Sequence, residues 1–204
     1  MYYVIAAVLG YLMGNISSSY FIGKLFRNID IRQHGSGNAG ATNTFRVLGF
    51  KAGLIVFILD VSKGILAALI GGWITGSLLG AVAAGCGAVI GHNWPIVLGF
   101  KGGKGIATSL GMMIAVFPKI SIILFLLGVV IIFITRYVSL ASITAAILFP
   151  VLLLIFREPV EALIVGIVVS VLAIYSHRAN IMRLLKGKEN RIAFRLKSRK
   201  KVNQ

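Results

Sequence analysis

Apolar runs of membrane-crossing length, separated by short polar segments, organise this chain from residue 3 to residue 176. A helix that crosses a bilayer needs about 20 mostly apolar residues, because its backbone rises about 1.5 Å per residue through about 30 Å of hydrocarbon. Seven runs fit, over residues 3–23, 53–74, 77–98, 106–117, 120–135, 138–156 and 159–176. The fourth and fifth are short and meet at "FPKI", where Pro118 and Lys119 predict either a tight turn or a kink. The pattern predicts an all-α, polytopic membrane protein with about seven transmembrane helices.

Composition agrees, since 58% apolar residues and a mean hydropathy of +0.94 lie well above an ordinary soluble domain. Twenty-one Lys and Arg against five acids give a formal charge of +16, which in a soluble protein would point to nucleic acid. In a membrane chain the placement of those charges carries the information instead, so no nucleic-acid partner is expected and membrane lipid is. Short loops on the cytoplasmic side collect Lys and Arg. With seven spans and the N-terminus outside, eighteen basic residues fall inside and two outside, Lys119 and Arg157, while Lys63 lies within a span. Reading 106–135 as one long helix reverses the tail and leaves eight inside against eleven outside. The bias therefore selects seven spans, an outside N-terminus and a cytoplasmic C-terminus. No basic residue precedes the first run, so that span is expected to stay attached rather than be cleaved as a signal peptide. Without repeats or linkers, residues 1–204 read as one integral membrane domain with a basic cytoplasmic tail from about residue 177.

This topology brings all three polar, glycine-rich stretches to one side: "HGSGNAGATNTFRVLG" (34–49), "GHNWPIVLGFKGGKGIATSLG" (91–111) and "HRANIMRLLKGKENR" (177–191). Glycine permits left-handed backbone, and successive N–H groups then converge on an anion, so a phosphate is the expected guest. The second stretch is not a nucleotide P-loop: Lys104 is followed by Gly105 rather than Ser or Thr, the flanks are membrane helices, and acids to hold magnesium are scarce. What remains is a set of backbone N–H groups from Gly102, Gly103 and Gly105 with Lys104, at the N-terminus of the fourth span.

Acid–base candidates are few. Asp60 and Lys63, three residues apart in the second span, suit an ion pair hidden from lipid. Glu158 and Glu161 belong to the outer end, and Glu189 stands among Lys and Arg of the tail. No carboxylate pair or His/Cys/Asp cluster has metal-ligand spacing, so neither a metal nor another cofactor is expected. Cys86 reads as a small packing residue near Gly80, Ala84 and Gly87, which suit close helix contacts. Of His34, His92 and His177, the last is the best placed, because Asn180 follows about one turn later and both project from the end of the seventh span. Ser142, in the first turns of the sixth span, faces either the site or its own helix backbone.

The stretches "GSGNAGATNTFR", "GHNWPIVLGFKGGKGIAT" and "HRANIMRLLKGKE" resemble, in order and spacing, the three motifs of the bacterial acyl-phosphate glycerol-3-phosphate acyltransferases, small polytopic inner-membrane enzymes. The resemblance spans the chain and shows no departure at the positions carried over. It implies transfer of a fatty acyl group from acyl phosphate to the 1-hydroxyl of glycerol 3-phosphate, giving lysophosphatidate and phosphate, the first acylation of phospholipid synthesis. It implies a site that faces the cytoplasm, with Ser36, His177 and Asn180 as catalytic residues and Glu189 as a structural one. Arg46, Asn43 and Lys104 would serve glycerol 3-phosphate, with Ser142 added to them from its place in the sixth span, and Gly102, Gly103, Lys104 and Gly105 would serve the acyl phosphate. An activated donor needs alignment and charge screening more than a strong base, and the proton acceptor is either His177 or a phosphate oxygen of the donor. The alternative is a phosphate or phospho-ester transporter, which predicts polar residues along a path through both leaflets. The outer half of the chain carries few.

Overall fold

Among residues 1–192, which the computed structural model describes, every long apolar run becomes α-helix. The first run is two helices, α1 (Tyr2–Gly14) and α2 (Ser18–Arg27), broken at Asn15. Asn15 causes the break by side-chain competition: its Nδ2 donates to the Tyr11 carbonyl at 2.6 Å, and its Oδ1 accepts from Ile96 N–H at 2.6 Å. A short α3 (Ala41–Leu48) precedes α4 (Phe50–Thr75). Gly76, in left-handed backbone, ends α4, and Ser77 caps α5 (Leu78–Asn93) by accepting from Gly80 N–H. Then follow α6 (Ile106–Val116), α7 (Pro118–Thr135), α8 (Val138–Ile155), α9 (Val160–Ser176) and α10 (Arg178–Leu185), the last bent by 59° from α9.

By length and apolarity five segments reach across a membrane, and α9 with α10 makes a sixth. The fourth expected span is the 11-residue α6, about 16 Å long and so about half a hydrocarbon core. Its direction is nonetheless clear. One cavity is lined both by Gly105 and Ile106 at the start of α6 and by Ile132 near the end of α7, with Val138 at the start of α8. A continuous helix from 106 to 135 would hold those ends about 45 Å apart. The chain therefore reverses at Phe117 and Pro118, with the proline at the first position of α7 where its missing N–H costs nothing. At the opposite end, Ser77 Oγ donates to Tyr3 Oη at 3.4 Å, so the turn after α4 lies beside the chain start. The long segments thus alternate in direction, and α5, α7 and α9 all end at the face where α4, α6 and α8 begin.

Small residues set the tightest seam, as expected for helices associating in lipid. Gly10 and Gly14 of α1 lie against the backbone at Ala84 and Ala88 of α5, and Gly87 and Gly91 lie against Ala7 and Tyr11, so an added Cβ at any of these four would overlap main chain. Across the bundle, Met112, Phe117, Ile120, Leu124, Phe149 and Leu153 form the apolar core. The short α6, packed against α4 and α5, starts about 10 Å deeper than α7 ends if the two axes run parallel from their shared turn. The glycine-rich loop before it is therefore recessed into the bundle.

Candidate active site

The first motif builds its loop around Asn43. The buried amide donates from Nδ2 to the carbonyls of Ile31 (3.2 Å) and His34 (2.9 Å) and accepts Ser36 N–H at 2.8 Å. A Cβ on Gly35, whose φ is +63°, would overlap Asn43 Oδ1, so this position needs glycine on both counts. Asn43 has spent its hydrogens on the backbone, and it presents Ser36 to the cavity rather than offering an amide of its own. Asp30 holds Arg32 at 2.7 Å, and Arg32 Nη1 reaches the Leu98 carbonyl at 2.8 Å, tying this loop to the second motif.

The second motif departs from the expected anion cradle. Gly102 N–H donates to the Asn93 carbonyl at 3.2 Å and Gly103 N–H to the His92 carbonyl at 2.9 Å, so both are occupied by the end of α5. Neither glycine lines the cavity. Their lack of Cβ serves packing instead: a methyl on Gly102 would meet the His92 carbonyl and one on Gly103 the His92 ring. The groups turned to the cavity are Lys104, Gly105 (φ +75°) and the first turn of α6, whose leading N–H groups have no intrahelical acceptor. The N–H groups free to meet an anion lie about two residues later than the glycine pattern suggests.

The third motif converges on Lys104. Asn180 accepts from Lys104 Nζ and donates from Nδ2 to Glu189 Oε1 at 2.8 Å, while Arg183 Nε donates to Glu189 Oε2 at 2.8 Å. Arg46 Nη2 donates to the Asn190 carbonyl at 3.4 Å. Burial would raise the Glu189 carboxyl, but bonds from Asn180 and Arg183 and the Arg183 charge outweigh it and hold it below the usual carboxylate range. Burial, followed by the charge of Arg183, brings the Lys104 ammonium down to about 8 against the pull of Glu189. Burial also lowers Arg46 from its ordinary value. His177 Nδ1 donates to the Ala173 carbonyl at 2.8 Å, which leaves Nε2 as the nitrogen available to the cavity.

These groups share one cavity of about 330 Å³, where Ser36, Asn43, Arg46, Lys104, Gly105, Ser142, His177, Asn180 and Glu189 all contribute to the wall. Ser142 does so while donating to the Val138 carbonyl at 2.9 Å, so both readings of that serine hold. His34 stands apart, exposed and bonded to the Asp30 carbonyl. Phe57, Phe125, Ile132 and Val138 make an apolar wall, and Phe125 is 46% exposed on the outside of the bundle.

A family model described as glycerol-3-phosphate acyltransferase matches residues 4–187. The chain belongs to this family. A glycerol-3-phosphate acyltransferase of Thermoanaerobacter sp. (strain X514) is 50% identical over 94% of this chain and 96% of its own length. One of Clostridioides difficile (strain 630) is 46% identical over 93% of this chain and 95% of its own. A crystal structure of PlsY, described as an integral membrane glycerol 3-phosphate acyltransferase in its glycerol 3-phosphate form, superposes with a TM-score of 0.88 at 44% identity, covering 94% of this chain and 96% of that one. A second, the lysophosphatidic acid form, gives 0.86. This family member is accordingly an all-helical integral membrane protein.

Several cavity residues carry no site role in the sequence reading, although two of them, His92 and Arg183, lie within the second and third motifs. Asp60 and His92 reach the wall from within helices, Ser139 from the first turn of α8, and Arg183 from α10. The expected Asp60 and Lys63 pair is present at 3.0 Å, but it is larger than a pair: Ser18 Oγ donates to Asp60 Oδ1 at 3.0 Å, and Lys63 Nζ also donates to the Ile16 carbonyl (3.0 Å) freed by the break and to His92 Nδ1 (2.7 Å). A charge on an apolar helix was the available signal for Asp60. Arg183 resembles any tail arginine until α10 folds back.

Proposed function

We propose that this protein transfers a fatty acyl group from acyl phosphate to the 1-hydroxyl of glycerol 3-phosphate, releasing lysophosphatidate and inorganic phosphate. The carrying observation is a single cavity with Arg46, Lys104 and Arg183 at its polar end and an apolar wall that ends at lipid-exposed Phe125. Two phosphates are screened at one end while an acyl tail lies along the other. Arg46 and Lys104 grip glycerol 3-phosphate together with Ser36 and Ser142. Lys104, Gly105 and the first turn of α6 take the acyl phosphate. His177 Nε2 accepts from the 1-hydroxyl and orients it, and Asn180 holds Lys104 in reach of both phosphates. The hydroxyl oxygen bonds to the acyl carbon, the bond from that carbon to the phosphate oxygen breaks, and the hydroxyl proton passes by way of His177 Nε2 to the departing phosphate. Glu189 acts through Asn180 and Arg183 rather than on substrate. Purified protein in detergent, given palmitoyl phosphate and glycerol 3-phosphate, should release phosphate and form lysophosphatidate in equal amounts; transport of intact phosphate into vesicles without that product would overturn the reading.

The same reading puts the protein, as one domain, in a bacterial inner membrane with seven crossings, its N-terminus outside and its site cytoplasmic. The charge bias supports this side, as does the alternation of helix direction. A cysteine at Ser36, which is exposed, should be labelled only from the cytoplasmic side by an impermeant maleimide in a Cys86→Ala background. Labelling from outside would invert the topology. The tail's end, from residue 193, lies outside the described residues.

Gly103→Ala is expected to raise the KM for acyl phosphate about 10-fold or more, with little change in that for glycerol 3-phosphate, because the new methyl displaces the His92 ring beside the loop rather than blocking an anion-binding N–H. Equal rises for both substrates would contradict this.

A further inference from the structure

The buried group that this reaction leaves idle is His92, together with the charges behind it. Lys63 is a donor only, so the 2.7 Å contact with His92 Nδ1 makes that nitrogen the acceptor and puts the ring hydrogen on Nε2. Asp60 lies 3.0 Å from Lys63 Nζ, which balances the ammonium inside the bundle. The Lys63 ammonium is itself pinned by the Ile16 carbonyl of the broken first passage. The tautomer is thus set by three elements at once, α1–α2, α4 and α5.

Nε2 has no protein acceptor among the described residues. The polar side-chain atoms that are sealed and unpartnered are Asn93 Oδ1, Thr108 Oγ1, Ser139 Oγ and Ser170 Oγ. His92 Nε2 is not one of them, although the residue is only 6% exposed, and His92 lines the cavity. Nε2 stands against Gly103, where a Cβ would overlap it, one residue before Lys104. A ring N–H that opens on the cavity with no protein partner, on a ring held in place by a charged network, is left for a ligand to complete.

We infer that His92 is a further substrate-binding residue, which donates its Nε2–H to a phosphoryl oxygen of the acyl phosphate. The inference rests on the acyltransferase reading of the same cavity and adds a donor beside the loop that carries Lys104. Lys63 and Asp60 are positioning residues: they act through the ring, which they hold as a donor while the lysine is charged. The arrangement also explains why the loop carries glycine at 103, since any side chain there would occupy the place of the ring.

His92→Ala should raise the KM for palmitoyl phosphate about 10- to 100-fold, with kcat changed less than about threefold and the KM for glycerol 3-phosphate unchanged. His92→Gln, which restores an N–H donor, should recover most of that loss. Equal changes in both KM values, a loss confined to kcat, or a glutamine variant no better than alanine would each overturn the assignment. Because removing a buried ring risks misfolding, a second measurement uses the wild-type protein. In ¹⁵N-histidine-labelled enzyme in detergent, the His92 signals, assigned by their loss in His92→Gln, should show the Nε2–H tautomer, and adding decyl phosphonate should shift Nε2. A Nδ1–H tautomer, or no shift at saturating phosphonate, would overturn it. Absence of acyl transfer by the wild type would instead remove the reading on which the inference rests, and the phosphonate titration would still decide whether His92 meets a phosphoryl group.

Discussion

Arg46→Lys is expected to lower kcat/KM for glycerol 3-phosphate by roughly 30- to 1,000-fold, or about 2 to 4 kcal/mol of transition-state stabilisation. Arg46 lies exposed on the cavity wall, steadied by the Asn190 carbonyl at 3.4 Å. Its planar fork offers two parallel charge-assisted bonds to a phosphate, and a lysine offers a single mobile point charge. A lysine would also lose the Asn190 contact, so the remaining charge would be less well placed. The measurement is steady-state kinetics with glycerol 3-phosphate varied at saturating acyl phosphate. Glycerol, which lacks the phosphate, should not distinguish the variant from the wild type. If Arg46 served only to anchor α3 at lipid headgroups, lysine would replace it with near-normal efficiency, and that result would refute a phosphate-clamping role for Arg46.

Lys104→Gln should cost still more, on the order of 100- to 1,000-fold in kcat/KM, because in the proposed reaction one ammonium serves both phosphates, and it bonds Asn180 as well. The pH dependence gives an independent check. Burial and the neighbouring Arg183 bring Lys104 down to about 8, so the free enzyme holds the charge below that pH and loses it above. Since kcat/KM reports the free enzyme, it should fall about tenfold per pH unit above pH 8 and show no change from this group below it. Bound phosphate favours the ammonium, so kcat should bend at a higher pH than kcat/KM. In Lys104→Gln the alkaline limb near pH 8 should vanish. A limb that survives the substitution would assign the titration elsewhere.

Seven apolar runs, their polar joints and the bias of the basic residues were enough to give an all-helical membrane protein and to bring three motifs to one face. This much is legible because lipid imposes length and apolarity on a crossing helix residue by residue, and because charge near a joint is read without knowing any contact. The turn at Phe117 and Pro118 was legible for the same reason. Length along α6 was not: whether 11 residues suffice depends on how deep the loop before them sits, which the packing of α6 against α4 and α5 decides.

At the site, the residue types were legible and their partners were not. Arg46, Lys104, His177 and Asn180 all line one cavity. Gly102 and Gly103 look the same in sequence whether their N–H groups meet an anion or a carbonyl, and only the approach of the α5 end showed that His92 and Asn93 take them. Asn43 likewise reads as a contact for glycerol 3-phosphate until three backbone partners surround its amide. His92 and the Asp60–Lys63 pair are separated by about thirty positions and lie in different helices, so neither implies the other along the chain. Periodicity and charge are properties of a residue and its near neighbours, and the sequence alone determined what depends on them. Which hydrogen-bond donor stays free for a ligand depends on groups brought together from distant positions, and only the tertiary structure decided that.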